Sequence, residues 1–388
     1  MRRKVSWKVA ATVAIGALAL TACSTGGGDT GGGGDDQVEI KIGSPLGLSG
    51  PAAFVGISSQ RALEIATDMI NDDPEKWIGA NRTISFDIQD IGSDESRTLT
   101  IAQSMIASPD VVGIVGPSLA TQTFPLSEML QSAAVPMIAP TSFAPGVTAA
   151  GDYVFQIPVT GKYLVDPLVD LAVNELGADK VGIVYNDDNQ ANLLLKELAE
   201  KALEDAGAEV VAVSSLFAET NFSTAITQLQ DAGVEVVFIP VGQVASLEIQ
   251  AAQAGFTPTF LGTPTMGSEA NLTNAGAAAE GEIFATDYAP ALEGDLNAFL
   301  LKEYEDRFQL VPDSFAAQTF AAVTVLAAAI KSIDGDVTRE GLRDALSSVK
   351  DADVVIGNGK FTFDEDRQSK GPAILLTVKD GKFELYEK

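Results

Sequence analysis

This sequence lacks one of the residue types most often used in acid–base and metal chemistry. Histidine is absent, which removes His-based catalytic triads, His-ligated metal sites and the most common general base. Aspartate, glutamate, lysine and tyrosine remain, but no pattern assembles two carboxylates as an acid and a base. Gly113 and Gly116 belong to neither a GxGxxG nor a Walker motif. We therefore expect no catalytic residue, no cofactor and no metal, with a carboxylate-dependent hydrolase as the less favoured alternative.

The only cysteine, Cys23, ends a segment typical of protein export. Four basic residues among the first eight precede an apolar run over residues 9–22, the layout of a secretory signal peptide. This run of 14 residues is shorter than the roughly 20 that span a membrane. The sequence Leu20-Thr21-Ala22 before Cys23 resembles a bacterial lipobox, which implies cleavage before Cys23 and attachment of lipid to its thiol. More than one acyl chain gives stable membrane attachment; an incidental cysteine is the alternative.

The segment after Cys23 predicts a tether rather than a folded element. Residues 24–36 are almost entirely glycine, serine, threonine and aspartate, and they lack apolar groups to offset the entropy lost on ordering. We therefore predict a signal peptide over residues 1–22 and a lipid-anchored linker over residues 23–37. The mature protein is expected to be exported and held at the outer face of the bacterial cytoplasmic membrane, or to be periplasmic.

The charge of the chain argues against one class of partner. The formal net charge is −28, and the four basic residues at the N-terminus lie in the predicted signal peptide. Such an excess of acidic groups repels polyanions, so we expect no nucleic-acid partner.

From residue 38 onward, short apolar runs alternate with segments of helical period. Runs such as VVGIVG (111–116) and KVGIVY (180–185) predict buried strands, and the alternation predicts βαβ units with a parallel sheet covered on both faces. The alternation of strands and helices starts again after Pro158, and near Asp287 the chain is predicted to return to the first lobe. We predict an α/β monomer of two doubly wound parallel-sheet lobes joined by a hinge: residues 38–157 with 287–337, and residues 158–286 with 338–388.

Short motifs along the whole mature chain resemble branched-chain amino-acid-binding proteins. They are, in order, Ile40-Lys41-Ile42-Gly43, Leu48-Ser49-Gly50-Pro51, Gly116-Pro117, Pro140-Thr141-Ser142, and Asn221-Phe222-Ser223 followed by EVVFIPV. Each is short, but their order and spacing together are specific for the fold. The resemblance implies a type I periplasmic-binding fold, with three crossover strands forming the hinge and a small-molecule ligand in the cleft. It also implies the permease of an ABC transporter as a partner.

The resemblance places the ligand contacts in loops that follow the predicted strands. Open α/β sheets bind ligands at the carboxyl ends of their strands, where helix N-termini present free N–H groups. Carried over residue by residue, the implied ligand-binding residues are Phe54, Ser118, Ala120, Thr121, Thr141, Ser142, Phe143 and Phe315 in the N-terminal lobe, and Asp188, Gln190, Gln243 and Thr265 in the C-terminal lobe.

The chain departs from the family pattern at several of these positions. Ala120 and Phe143 stand where amino-acid binders usually have a hydroxyl residue, and Gln190-Ala191 replaces a Tyr-Gly pair. The segment 263–266 contains no acid to pair with an α-ammonium group, which needs an anion or several acceptors when buried. An amino acid and a neutral or anionic organic solute therefore both remain open as ligands.

Alternative roles remain for the residues and for the protein. The hydroxyls at positions 118, 121, 141 and 142 also suit caps of helices or turns. Phe54 and Phe315 also suit a lobe core, and Asp188 also suits a solvated turn. A ligand-sensing lobe that serves a separate membrane receptor is the alternative function.

Overall fold

The structure is a computed structural model that describes residues 37–50, 53–92, 94–144, 146–371 and 373–387. The predicted signal peptide, Cys23 and almost all of the linker lie outside the described residues.

The first part of the chain alternates strands and helices around one sheet. In chain order its elements are β1 (Val38–Leu46), α1 (Ala53–Asp72), α2 (Pro74–Trp77), β2 (Arg82–Asp90), α3 (Glu95–Ala107), β3 (Val111–Val115), α4 (Ala120–Ser132), β4 (Met137–Ala139) and β5 (Val154–Gln156). The strands are all parallel, in the order β2-β1-β3-β4-β5. Buried apolar clusters cover both faces of this sheet, which is why the inner strands β3 and β4 are nearly continuous apolar runs.

The second part repeats the alternation around a second sheet. Its elements are α5 (Lys162–Asp170), β6 (Lys180–Asn186), α6 (Gln190–Asp205), β7 (Glu209–Ser215), α7 (Ser223–Ala232), β8 (Val236–Phe238), α8 (Val244–Gln253), β9 (Thr259–Gly262), α9 (Glu269–Ala275) and β10 (Ile283–Thr286). These five strands are parallel, in the order β10-β9-β8-β6-β7. Helices α5 and α6 cover one face, and α7 and α8 cover the other.

The last part of the chain returns to the first sheet and then to the second. Its elements are α10 (Asp295–Phe308), α11 (Ser314–Lys331), α12 (Arg339–Ser347), β11 (Ala352–Asp353), β12 (Lys360–Phe361), β13 (Ile374–Lys379) and β14 (Lys382–Leu385). The β13–β14 hairpin, which the sequence predicts around Asp380-Gly381, adds two antiparallel strands beside β10. The second sheet is therefore mixed rather than wholly parallel.

Helix α11 is the central helix of the first core. It is long and apolar enough to cross a membrane, but 78 % of its residues are buried inside the fold. Phe320, Val323 and Leu326 pack there with strand β1 and with the helices on the same face of the sheet. Its composition is that of a core helix buried on most of its sides.

Three connections join the first sheet and its helices to the second. They run over residues 157–161, 287–289 and 364–373, of which all but residue 372 are described. Asp287 binds to two other parts of the chain at this junction: its Oδ2 accepts from Val159 N at 3.1 Å, and its carbonyl oxygen accepts from Gly357 N at 2.6 Å. Its Oδ1 accepts from Gln318 Nε2 of α11 at 2.8 Å.

One predicted boundary differs from the packing. The sequence assigned residues from 338 onward to the second lobe, yet Leu342, Leu346 and Phe361 are buried in the first core. Arg339 also donates hydrogen bonds to three carbonyl oxygens of residues 106–111. The apolar face of α12 has its partners in the first core, so the chain leaves the first sheet only after Phe363.

Candidate functional site

The loops at the carboxyl ends of β3, β4 and β5 are joined to one another by hydrogen bonds. Thr141 Oγ1 donates to the carbonyl oxygen of Ser118 at 2.9 Å, which joins the first two loops. Gln156 Nε2, at the end of β5, donates to the carbonyl oxygens of Ser142 at 2.6 Å and Ala144 at 2.9 Å. The sheet therefore brings three predicted site residues together, namely Ser118, Thr141 and Ser142.

This loop cluster contains buried polar atoms that have no hydrogen-bond partner among the described residues. They are Ser118 Oγ, Ser142 Oγ, Gln156 Oε1 and both amide atoms of Gln122, whose side chain is 1 % exposed. An unsatisfied buried polar group costs about 1–3 kcal/mol. Hydroxyl and amide groups both donate and accept, so this uncharged set matches the carboxylate, carbonyl or hydroxyl group of a small solute.

Two aromatic side chains pack together at the N-termini of α1 and α11. The rings of Phe54 and Phe315 lie 5.9 Å apart in an edge-to-face arrangement. Ser58 Oγ donates to Asp313 Oδ2 at 2.7 Å and so joins the two helix starts. Phe54 is 62 % exposed, so the alternative role as a lobe-core residue is wrong for this side chain.

In the second sheet, Asn186 joins the carboxyl ends of three neighbouring strands. Its Nδ2 donates to Ser215 Oγ and to the carbonyl oxygen of Leu216, both after or at the end of β7. Its Oδ1 accepts from Gly242 N after β8 at 2.8 Å, and from Asn192 Nδ2 of α6 at 2.9 Å. Both amide atoms of this buried residue are therefore satisfied, and Asn186 is a positioning residue for these loops.

The predicted site residues of the second part lie around this junction. Asp188 is exposed, and its Oδ1 accepts from Phe217 N at 2.7 Å, so the turn alternative accounts for one of its oxygens. Gln243 is half-buried at the N-terminus of α8, where its side chain makes no capping hydrogen bond. Thr265 is exposed and its hydroxyl lies 3.0 Å from that of Thr263.

The remaining predicted residues differ in how far the structure describes them. Thr121 is exposed at the start of α4, and Phe143 is half-buried in the loop after β4. The side chains of Ala120 and Gln190 lie outside the described part of the chain. The hydroxyl of Thr141 is engaged within the loops, so a turn-stabilising role accounts for it without a ligand.

Sequence reasoning missed Gln122, Gln156, Asn186 and Phe217. A polar residue that ends an apolar strand was the available signal for Gln156 in VFQIP and for Asn186 in KVGIVYN. Gln122 has no such signal, because an amide one turn into a helix is ordinarily a solvated residue.

Two buried carboxyl groups lie between α8 and the start of β10. Glu248 is fully buried and Glu282 is 2 % exposed, and neither finds a donor among the described residues. Loss of hydration raises the pKa of both carboxyl groups above the ordinary value of 4.5, and each is close enough to the other to share a proton. Burial likewise raises the pKa of Asp287, at the junction between the sheets, to about 6.

A groove of 660 Å³ lies elsewhere on the molecule. It runs between α1, the start of α10 and residues 353–359, and none of the predicted ligand residues lines it. No group of three or more acidic or cysteine side chains suited to a metal ion occurs in the described ranges.

The family model described as "Periplasmic binding protein" matches residues 39–382 of this sequence. The chain belongs to the periplasmic binding protein family. The resemblance found in the sequence is thereby confirmed, and so is the predicted fold class of two doubly wound α/β lobes.

Relatives of this periplasmic binding protein include several proteins named for amino acids. The "Leucine-, isoleucine-, valine-, threonine-, and alanine-binding protein" of Pseudomonas aeruginosa is 26 % identical over 316 residues, which are 80 % of this chain and 82 % of that protein. A branched-chain amino acid transporter substrate binding protein of Streptococcus pneumoniae, solved with isoleucine, superposes with a TM-score of 0.74 at 22 % identity, over 89 % of this chain and 98 % of that one.

A further structural neighbour binds a different kind of solute. A solute binding protein of an ABC transporter from R. palustris, solved with benzoate, superposes with a TM-score of 0.72 at 22 % identity. The match covers 89 % of this chain and 95 % of that chain. At such identities the two structural matches establish the shared fold.

Proposed function

We propose that this protein is the extracytoplasmic solute-binding component of an ABC importer. It binds a small amino acid or another small organic solute in the cleft between its two lobes, and it has no catalytic role. The observation that carries the proposal is the set of buried, unpaired and uncharged polar atoms at the carboxyl ends of β3, β4 and β5, where α/β sheets bind ligands.

The chemistry of this set supports a ligand with a carboxylate or a similar polar end. Isoleucine and benzoate, the ligands of two structural neighbours, have in common a carboxylate and an apolar body. Neutral hydroxyl and amide donors hold a carboxylate without a cation, and charge-assisted hydrogen bonds are about twice as strong as neutral ones. The aromatic residues Phe54 and Phe315 and the predicted residues of the second lobe then select which apolar body is bound.

We further propose that binding closes the two lobes on the solute. Residues 38–157 with 287–363 form the N-terminal lobe, and residues 158–286 with 373–387 form the C-terminal lobe, in revised bounds that follow the packing. Each lobe offers half of the polar shell, so a ligand that contacts both binds the closed state better and shifts the population toward it. The permease would recognise the closed pair of lobe surfaces.

Thermal denaturation of the mature protein against a panel of solutes tests this function. The panel contains L-leucine, L-isoleucine, L-alanine, benzoate and p-hydroxybenzoate, with D-glucose and AMP as unrelated controls. A true ligand at 100 times its dissociation constant stabilises the folded protein by about 2.7 kcal/mol. We expect at least one carboxylate of the panel to raise the melting temperature. Stabilisation by the controls alone would refute the proposed class.

We also propose that the protein is exported as a lipoprotein anchored through Cys23. The proposal rests on the signal-peptide pattern and the Leu20-Thr21-Ala22-Cys23 sequence. A Cys23→Ala variant is expected to lose membrane attachment or to accumulate as precursor, because no thiol remains to carry the lipid. Cell fractionation and the intact mass of the product measure both outcomes, with Ser24→Ala as the matched control. A variant that stays in the membrane with the mass of the processed wild type rejects the anchor.

A further inference from the structure

Phe217 is an exposed aromatic residue that lies among the predicted ligand loops of the second lobe. It follows β7 and is 45 % exposed. Its backbone N–H donates to Asp188 Oδ1 after β6, and its ring lies beside Gly242 after β8. The loops of three adjacent parallel strands therefore meet at Phe217, on the edge of the sheet where the solute is proposed to bind.

Gly242 leaves the space that this ring occupies. A Cβ atom built on Gly242 would lie 2.6 Å from Cε2 of Phe217 and 2.9 Å from both its Cδ2 and its Cζ. Real Cβ contacts are not that short, so any larger residue at position 242 would displace the ring. The backbone of Gly242 is not in the left-handed region, and glycine is needed here for the close approach of the ring rather than for its own conformation.

Asn186 holds the backbone next to both Phe217 and Gly242. This buried amide binds the carbonyl oxygen of Leu216 and the N–H of Gly242, the backbone groups that bracket the Phe217–Gly242 contact. Backbone that is held in this way loses little further conformational entropy on binding a ligand. The exposed part of the Phe217 ring lies next to the exposed Leu216, and the two form an apolar surface among the predicted polar loop residues.

We infer that Phe217 is a specificity-determining residue that contacts the apolar body of the solute from the second lobe. The inference rests on the proposed function and assigns to the ligand a branched aliphatic or aromatic body, with the polar end held by the first lobe. Phe54 and Phe315 supply the aromatic pair on the first lobe. The ring of Phe217 thus supplies an aromatic surface to a second lobe in which the predicted loop residues are polar.

Four variants of the mature protein test the inference by calorimetric titration. Phe217→Ala removes the ring, and Gly242→Ala keeps the ring but displaces it. The double variant carries both changes, and Leu176→Ala removes an exposed apolar side chain that precedes the N-terminal end of β6, whereas these loops follow the carboxyl ends of the strands. The probe is L-isoleucine or benzoate, whichever stabilises the wild type in the solute panel. L-Alanine is the comparison ligand, because its apolar body is a single methyl group.

We expect Phe217→Ala and Gly242→Ala each to weaken binding of the probe at least tenfold. The double variant is expected to lose no more than Phe217→Ala alone, because Gly242 acts only through the ring. Leu176→Ala is expected to bind like the wild type, and any binding of L-alanine is expected to change less than threefold in every variant.

Three results would overturn the inference, and they are distinguishable from failure of the proposed function. Tight binding of the probe by wild type and Phe217→Ala alike leaves the binding function standing but removes the role of Phe217. An equal loss in Leu176→Ala shows a general effect on the lobe and likewise rejects the role. If no panel carboxylate with a branched aliphatic or aromatic body binds the wild type, the assigned ligand class is wrong, and binding of L-alanine alone preserves the proposed function.

Discussion

At the scale of single residues, the unpaired polar atoms of the first lobe separate a ligand role from a structural one. The hydroxyl of Thr141 donates to the carbonyl oxygen of Ser118, whereas the hydroxyls of Ser118 and Ser142 are buried without a partner among the described residues. A hydroxyl that caps a turn stabilises the unliganded fold, but an unsatisfied one costs free energy until a ligand pairs with it. The two roles therefore predict opposite effects of removing the oxygen.

Ser142→Ala is expected to weaken solute binding by about 1–3 kcal/mol, because a ligand group in the closed site loses its partner. The same change should leave the free energy of unfolding of the unliganded protein unchanged or slightly raised. Gln243→Ala should weaken binding to a similar extent from the second lobe. Titration of the solute and urea denaturation without solute measure the two quantities. Ser132→Ala, an exposed position on α4, is the control.

The opposite result for Ser142 has a clear meaning. If the variant binds the solute like the wild type but unfolds more easily without it, the hydroxyl supports the loop and does not contact the ligand.

The site could be predicted from the sequence only where a family motif marked it. Ser118 and Ser142 adjoin Gly116-Pro117 and Pro140-Thr141, and the structure brings both loops together. Gln122 and Phe217 carry no local signal, because their burial and position depend on which strands are neighbours. The space beside Gly242 that admits the Phe217 ring is likewise a property of two strands distant in sequence.

At the scale of elements, the carboxyl pair of Glu248 and Glu282 links α8 to the start of β10. Helix α8 begins next to Gln243, in a predicted ligand loop. Their raised pKa values mean that the folded state binds more protons than the unfolded state above about pH 4.5. The stability contributed by this pair is therefore present at acid pH and is lost as the pH rises.

Glu282→Gln is expected to reduce this pH dependence, because the amide needs no proton to stay neutral. Between pH 6.5 and pH 8, wild-type stability should fall by up to about 1.4 kcal/mol per pH unit from this one group. The variant should show a shallower slope and gain stability relative to the wild type at pH 8. The window lies above the pKa of about 6 of Asp287, which titrates in the same direction.

Urea denaturation over this pH range measures the slopes, with the exposed Glu204→Gln on α6 as the control. Parallel slopes for wild type and Glu282→Gln would show that the pair holds no proton above pH 6.5.

Most elements followed from apolar periodicity, and the exceptions have physical reasons. The runs VVGIVG (111–116) and KVGIVY (180–185), predicted to be buried strands, correspond to β3 and β6, with ends that differ by one residue. Helix α5 was missed because Pro167 interrupts its pattern, although the helix continues through it into a π-helical turn. Helix α12 is short and polar on most of its surface, so only Leu342 and Leu346 marked its buried face.

At the scale of the whole molecule, the three connections between the sheets determine how the lobes can move. Asp287 is fully buried there, and its carboxylate accepts from Val159 N, so the first two connections are hydrogen-bonded to each other. The loops proposed to hold the solute lie on different lobes, and the proposed closure would complete the polar shell. The sequence indicated the first two crossings from where its pattern restarts and returns. It placed residues 338–363 in the second lobe, whereas α12, β11 and β12 pack in the first core.

The central claim is that a small solute closes the two lobes, and small-angle X-ray scattering tests it most directly. The mature protein is measured alone and at saturation with the panel solute that most raises its melting temperature, and Ser142→Ala is measured at the same solute concentration. The account predicts that the radius of gyration of the wild type falls on addition of solute, and that the variant needs a higher concentration for the same decrease. Tight binding with an unchanged radius of gyration would contradict it.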